Sequence, residues 1–230
     1  MYQLIIDDAF FNIFPDAKIY TIIARGIDNS KRDEALFTEQ LNAAKKSSLN
    51  YLPLENFSDN VVIQEWRDAF KQFKTKKGAR SSIEALLKRA HQDRDFNPIN
   101  PLVDLYNSIS LTYAVPCGGE DLSKIEGTMH LGIAQGGEDF IPLGETESAP
   151  ALENEVIYYD ETGAICRCFN WREAQRTMLT ENTTEAILVI EAINASQSER
   201  AESAMNALIE NIESYFNVTC EYKVISKKQP

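Results

Sequence analysis

The sequence predicts one α+β unit, a mixed sheet packed with helices and preceded by a region rich in helix. Three observations predict it. Hydrophobic residues make up 43% of the 230 residues, so burial can offset the entropy of ordering the chain. Apolar residues recur at helical spacing through much of the first half, whereas short β-rich runs gather after Gly127. Helix and strand patterns are thus segregated, and no repeat or low-complexity linker divides the chain.

Tyr2 to Ile6 reads as a first strand and Lys18 to Ala24 as a second, with Pro15-Asp16 as a turn between them. Asp33 to Ser47 places Leu36, Phe37, Leu41 and Ala44 on one helical stripe. Asn60 to Phe73 does the same with Val61, Ile63, Trp66, Phe70 and Phe73, a spacing typical of core packing rather than of a cofactor box. Lys71, Lys74, Lys76, Lys77 and Arg80 cluster around Gly78, either as a solvated helix end or as a docking point for RNA phosphates. Ser81-Ser82 caps a helix over Ile83 to Arg89 or a little beyond, with Glu84 at capping-box spacing from Ser81.

Strands follow over Thr128 to Ala134 and Phe140 to Leu143, then a hairpin of Glu155 to Tyr159 and Ala164 to Phe169 around Asp160 to Gly163. Ala186 to Ala192 is almost wholly apolar, as a strand buried on both faces would be. Gln197 to Tyr215 is a long amphipathic helix, Thr219 to Ile225 a last strand, and Ser226 to Pro230 a polar tail expected to fray. Residues 1–78 form an N-terminal strand and helix region within the same compact unit, 79–225 the main domain and 226–230 the tail.

The formal net charge of -12 repels phosphate backbones, which disfavours generic nucleic-acid binding unless a local basic patch overrides it. Cys166 and Cys168 alternate along the expected strand, about 7 Å apart, too far for an easy disulfide. With Cys117 and Cys220 they match no zinc spacing, and free buried thiols are expected. His91 and His130 pair with no evident nucleophile. We therefore expect neither a metal nor a cofactor. The stretch MYQLIIDDAFFNIFP has no basic segment before its apolar part, and no apolar run approaches the roughly 20 residues that cross a bilayer, so a cytoplasmic protein without membrane association is expected.

One stretch reads as a site: Asn97 to Gly127, NPINPLVDLYNSISLTYAVPCGGEDLSKIEG. Two Asn-Pro steps stop the preceding helix. Leu102, Leu105, Ile109 and Tyr113 then share one helical face, and Asp104 and Asn107 are surface neighbours. Pro116, Gly118 and Gly119 follow as a turn whose backbone amides can approach a ligand closely. The same spacing also suits a capped helix with a glycine turn and nothing more. At the far end of the chain's most apolar strand stands Glu191, a carboxylate that needs a partner, a solvated cleft or a raised pKa.

This stretch resembles the opening of the B3/B4 domain of the phenylalanyl-tRNA synthetase β subunit. The match rests on Pro98, Asn100, Val103, Asp104, Asn107, Pro116, Asp121 and Gly127. It continues through Gly136-Gly137-Glu138, Pro142-Leu143-Gly144, the hairpin from Glu155 and the run from Thr183 to Glu191-Ala192. It implies a stand-alone relative of a domain that hydrolyses tyrosine wrongly attached to the phenylalanine tRNA, without aminoacylation. By the same resemblance Asn107 lines the editing pocket and Glu191 recognises the tyrosine hydroxyl. Two departures stand out. The family's pocket histidine would fall at Gly118, and the expected glycine-rich loop is replaced by FNWREAQRT, where Asn170, Arg172, Arg176 and Thr177 could remake the pocket. The expected site is therefore Asn107, Gly118, Gly119, Asn170, Arg172, Arg176, Thr177 and Glu191. It would bind the aminoacyl end of a tRNA, with hydrolysis of a mischarged ester (translation quality control); the alternative is a non-catalytic module for a free amino acid or related metabolite.

Overall fold

The computed structural model describes residues 4–30 and 33–227. The fold is α+β, with six α-helices and two sheets among the described residues. In order, the elements are β1 (Leu4–Ile6), α1 (Asp8–Ile13), β2 (Lys18–Arg25), α2 (Glu34–Ser48), α3 (Val61–Phe70), α4 (Ser82–His91) and α5 (Pro101–Tyr113). Then come β3 (Cys117–Asp121), β4 (Met129–Ile133), β5 (Val156–Tyr159), β6 (Ala164–Arg167), β7 (Arg172–Glu173), β8 (Glu185–Ala192), α6 (Ala195–Phe216) and β9 (Glu221–Ser226).

The first sheet has the order β1-β4-β5-β6-β7 and is mixed, because β1 runs parallel to β4. The second, β3-β8-β2-β9, is antiparallel throughout. Strand β8 is the reason they form one core. Its side chains alternate between faces. Ile187 and Val189 join Ile19, Leu131, Val156, Tyr158 and Ile165 in a cluster between the sheets. Leu188 and Ile190 turn the other way, into a cluster with Leu102, Leu105 and Ile109 of α5 and Ala204, Leu208 and Ile212 of α6. Both faces are covered, which explains the apolar run in the sequence. The inter-sheet cluster also takes in Phe10, Trp66 and Ile83 from α1, α3 and α4.

Several boundaries differ from expectation. Tyr2 and Gln3 of the expected first strand and residues 228–230 of the tail lie outside the described residues, while Ser226 closes β9. Helix α1 was not anticipated; six residues are too few to display a period. Helix α3 stops at Phe70, although Phe73 still packs edge-on against Phe14. The Ser81 side chain makes no capping bond, and Glu84 is drawn to Arg67 instead, at 2.8 and 3.1 Å. Phe140 to Leu143 forms no strand, only a single bridge between Pro142 and Ala174. Strand β6 ends at Arg167, because Cys168 and Phe169 both adopt left-handed backbone, with φ of 48° and 66°. Cys168 therefore does not alternate with Cys166 on a strand. All four cysteines are free and buried.

The expected glycine turn is also corrected. Gly118 and Gly119 lie inside β3, paired with Val189 and Leu188. Neither has a positive φ; Ala114, at φ 50°, is the left-handed residue that closes α5. Pairing with β8 overrides the local glycine signal.

Candidate functional site

The Asn-Pro stretch first builds a helix N-terminus. The Asn100 side chain accepts from the Val103 amide at 3.1 Å, and Asn29 both donates to Asn100 and accepts from the Leu102 amide. Asp104 accepts from the Ile99 amide at 2.8 Å. These polar residues fix where α5 begins, and Pro101 at its first position suits that end. One turn further on, Tyr106 and Asn107 face a cavity.

That cavity measures about 430 Å³ and opens between the two sheets, bounded by α4 and α5. Gly118 and Glu120 of β3 and Val189 and Glu191 of β8 line one wall. Met129, Tyr158, Cys166 and Glu173, from β4 to β7, line the other. Asn170, Trp171 and Arg172 come from the segment after β6, whose two consecutive left-handed residues turn the chain back toward the cavity. That corner is held by the Phe169 amide on the Val156 carbonyl and by the Ser82 amide on the Asn170 carbonyl. A side chain at 118 would point into the cavity, since a Cβ there would come 3.4 Å from Oε1 of Glu173.

The polar chemistry of the cavity is acidic. The Tyr158 hydroxyl donates to Oε1 of Glu191 at 3.0 Å, while Oε2 has no hydrogen-bond partner. Asn170 lies close enough to help hold the Glu191 carboxyl down, yet neither atom of its amide completes a bond of normal geometry. Burial dominates, and raises Glu191 to about 8. Glu173 is raised to about 7 by burial, opposed by the Gly119 amide and by Arg172. Glu120, 4% exposed, is pushed well above the usual carboxylate range by burial and then by Glu173. The thiols of Cys117 and Cys166 are raised by burial and by the neighbouring carboxylates, so they are poor nucleophiles.

Six of the expected site residues line the cavity: Asn107, Gly118, Gly119, Asn170, Arg172 and Glu191. Arg172 sits at the rim with its guanidinium engaged by the Leu143 carbonyl at 2.9 Å and Glu145 at 3.2 Å. Arg176 and Thr177 are not among the lining residues. Arg176 is tied to the buried Asp160 carboxylate at 2.5 and 2.9 Å, and Thr177 is fully buried beside Glu120. Sequence reasoning missed Tyr158, Glu120, Glu173 and Trp171. Period-2 alternation in β3 would have put Glu120 on the face of Gly118. For Tyr158 and Glu173 no local signal existed.

The basic stretch from Lys71 to Arg80 is largely exposed and reaches the cavity rim through Lys76, whose ammonium lies 5.8 Å from the Trp171 ring. Neither His91 nor His130 lines the cavity; His130 bonds Asp7 at 3.0 Å. Among the described residues no group of three or more His, Cys, Asp or Glu is placed to hold a metal ion, and no helix is long and apolar enough to cross a membrane.

The B3/4 domain family model matches residues 65–217, well over half of the chain. The chain belongs to the B3/4 domain family. Its fold is similar to the crystal structure of an N-terminal fragment of the phenylalanyl-tRNA synthetase β subunit from Pyrococcus horikoshii, with a TM-score of 0.53 and 12% identity. That match covers 100% of this chain and 58% of the fragment, so the chain spans little more than half of the structure it resembles. Comparison with curated proteins gives no match.

Proposed function

We propose that the cavity receives the aminoacyl end of a tRNA and that the protein hydrolyses a mischarged ester there. The observation that carries this reading is the inter-sheet cavity itself. Its volume of about 430 Å³ falls at the small end of ligand pockets, and its floor holds a Glu191 oxygen and an Asn170 amide without partners. Buried polar groups left open in this way reject a guest that cannot satisfy them. The rim offers the Trp171 face, suited to base stacking, with the exposed Lys76 ammonium 5.8 Å from its ring and suited to phosphate. Family membership and the likeness to a synthetase fragment support the link to tRNA.

The chemistry would depend on water. With no histidine in the cavity lining and both lining thiols protonated, hydrolysis would rely on bound water, backbone amides and the substrate's own ribose hydroxyl. The test is release of amino acid from a panel of correctly and wrongly charged tRNAs, at low salt, beside Glu191→Ala. Faster release from one mischarged species, lost in the variant, is expected. Unchanged hydrolysis of every species would remove the catalytic role.

The net charge of -12 favours a second reading, a binding module for a free amino acid. It would show thermal stabilisation by amino acids together with indifference to every charged tRNA.

A further inference from the structure

The aminoacyl-end reading leaves one feature of the cavity unused. Glu191 has a neutral partner in Tyr158, but Glu120 of β3 and Glu173 of β7 form a second pair of acids, and among the described residues neither is in a salt bridge with a lysine or arginine. Glu120 is 4% exposed, lines the cavity, and has its Oε2 without a hydrogen-bond partner. Glu173 lines the same space, with the Gly119 amide close enough to help hold its carboxyl down. The absence of a side chain at Gly118 keeps the space beside Oε1 of Glu173 open.

The nearby cations are committed elsewhere. Arg176 is bound to Asp160 and the Gly163 carbonyl. Arg172 is bound to Glu145 and the Leu143 carbonyl at the rim. Arg89 donates to the Asp95 carbonyl at 2.6 Å and lies over the Phe96 ring. No lysine is among the described lining residues. Two neighbouring carboxyls, Glu120 buried with an open oxygen and Glu173 half-buried, favour a guest that brings a positive charge and several N–H donors.

Building on the reading of the cavity as an aminoacyl site, we propose that Glu120 and Glu173 seat a protonated primary amine of the guest. The cavity then selects an amine-bearing aminoacyl group over its N-acylated or neutral counterpart. The amine can be the α-amine or one on the side chain, since both present the same ammonium. An aminoacyl ester with a free amine would be admitted, and a chain-blocked ester would be refused.

The test uses the whole protein and four stable probes, adenosines carrying a 3′-amide of norleucine, lysine, Nα-acetylnorleucine or Nα-acetyllysine, titrated by calorimetry. Loss of about tenfold or more in affinity on α-acetylation of both amino acids would place the α-amine at the seat, on the scale of a charge-assisted hydrogen bond. Retained affinity for Nα-acetyllysine with loss for Nα-acetylnorleucine would place the side-chain amine there. In either case Glu120→Gln and, separately, Glu173→Gln should lower affinity for the amine probes alone. Equal binding of all four probes would overturn the amine seat and leave the aminoacyl reading standing. Binding of none would overturn both.

Discussion

Tyr158 on β5 donates its hydroxyl to Glu191 on β8, and this 3.0 Å bond joins the two sheets across the floor of the cavity. Tyr158→Phe removes the donor while keeping the ring. The bond with Tyr158 helps hold the Glu191 carboxyl down, so its pKa should rise further in the variant. Urea denaturation should show a loss of about 1–2 kcal/mol, the scale of a buried bond to a carboxyl.

The cavity acids set a pH dependence. Glu191 and Glu173 are raised from 4.5 to about 8 and about 7, so both bind protons more tightly in the folded chain than in the unfolded one. Their contribution to stability is complete below the unfolded values and is lost as pH climbs through the folded ones. The melting temperature should therefore fall between pH of about 5 and about 9, and Glu191→Gln should flatten that fall. A wild-type curve indifferent to pH over that span would mean that the cavity carboxyls are well solvated.

Arg167 and Glu155 form an ion pair with side chains 2% and 0% exposed, and Arg167 also reaches the Ala149 carbonyl at 2.5 Å. Arg167→Met leaves Glu155 buried without its partner and should lower stability by about 3–5 kcal/mol. Adding Glu155→Leu should recover much of the loss, because two apolar groups no longer strand a charge. Equal loss in single and double variants would contradict this.

Gly163 closes the β5–β6 hairpin against a neighbouring loop. A Cβ there would lie 2.5 Å from the Asp139 carbonyl oxygen and 3.2 Å from its carbon. Backbone cannot give way as a flexible side chain does, so Gly163→Ala should destabilise the protein by about 1–3 kcal/mol in thermal or urea unfolding.

The parts of this structure that follow from local pattern were readable before the fold was known. The apolar run of β8 announced a strand covered on both faces, and Glu191 at its end announced a carboxylate in need of accommodation. The Asn-Pro stretch announced a helix start, though Asp104 serves the Ile99 amide rather than the cavity. Long-range pairing decided the rest. Gly118-Gly119 spelled a turn until β8 drew it into a sheet, and Arg176 looked available until Asp160, sixteen residues earlier, took it. Tyr158 and Glu173 belong to the site only because two separate sheets meet there. Nothing in their own neighbourhoods marks them.

The most direct measurement compares two ligands of one protein: a tRNA carrying a hydrolysis-resistant 3′-aminoacyl amide, and the same tRNA uncharged. It should be run on the wild type and on Gly118→Leu, whose side chain would project into the cavity beside Glu173. The wild type should bind the charged form tighter by about tenfold or more, and the filled variant should bind the two alike. Equal binding of both forms by the wild type would contradict the claim that this cavity receives an aminoacyl group.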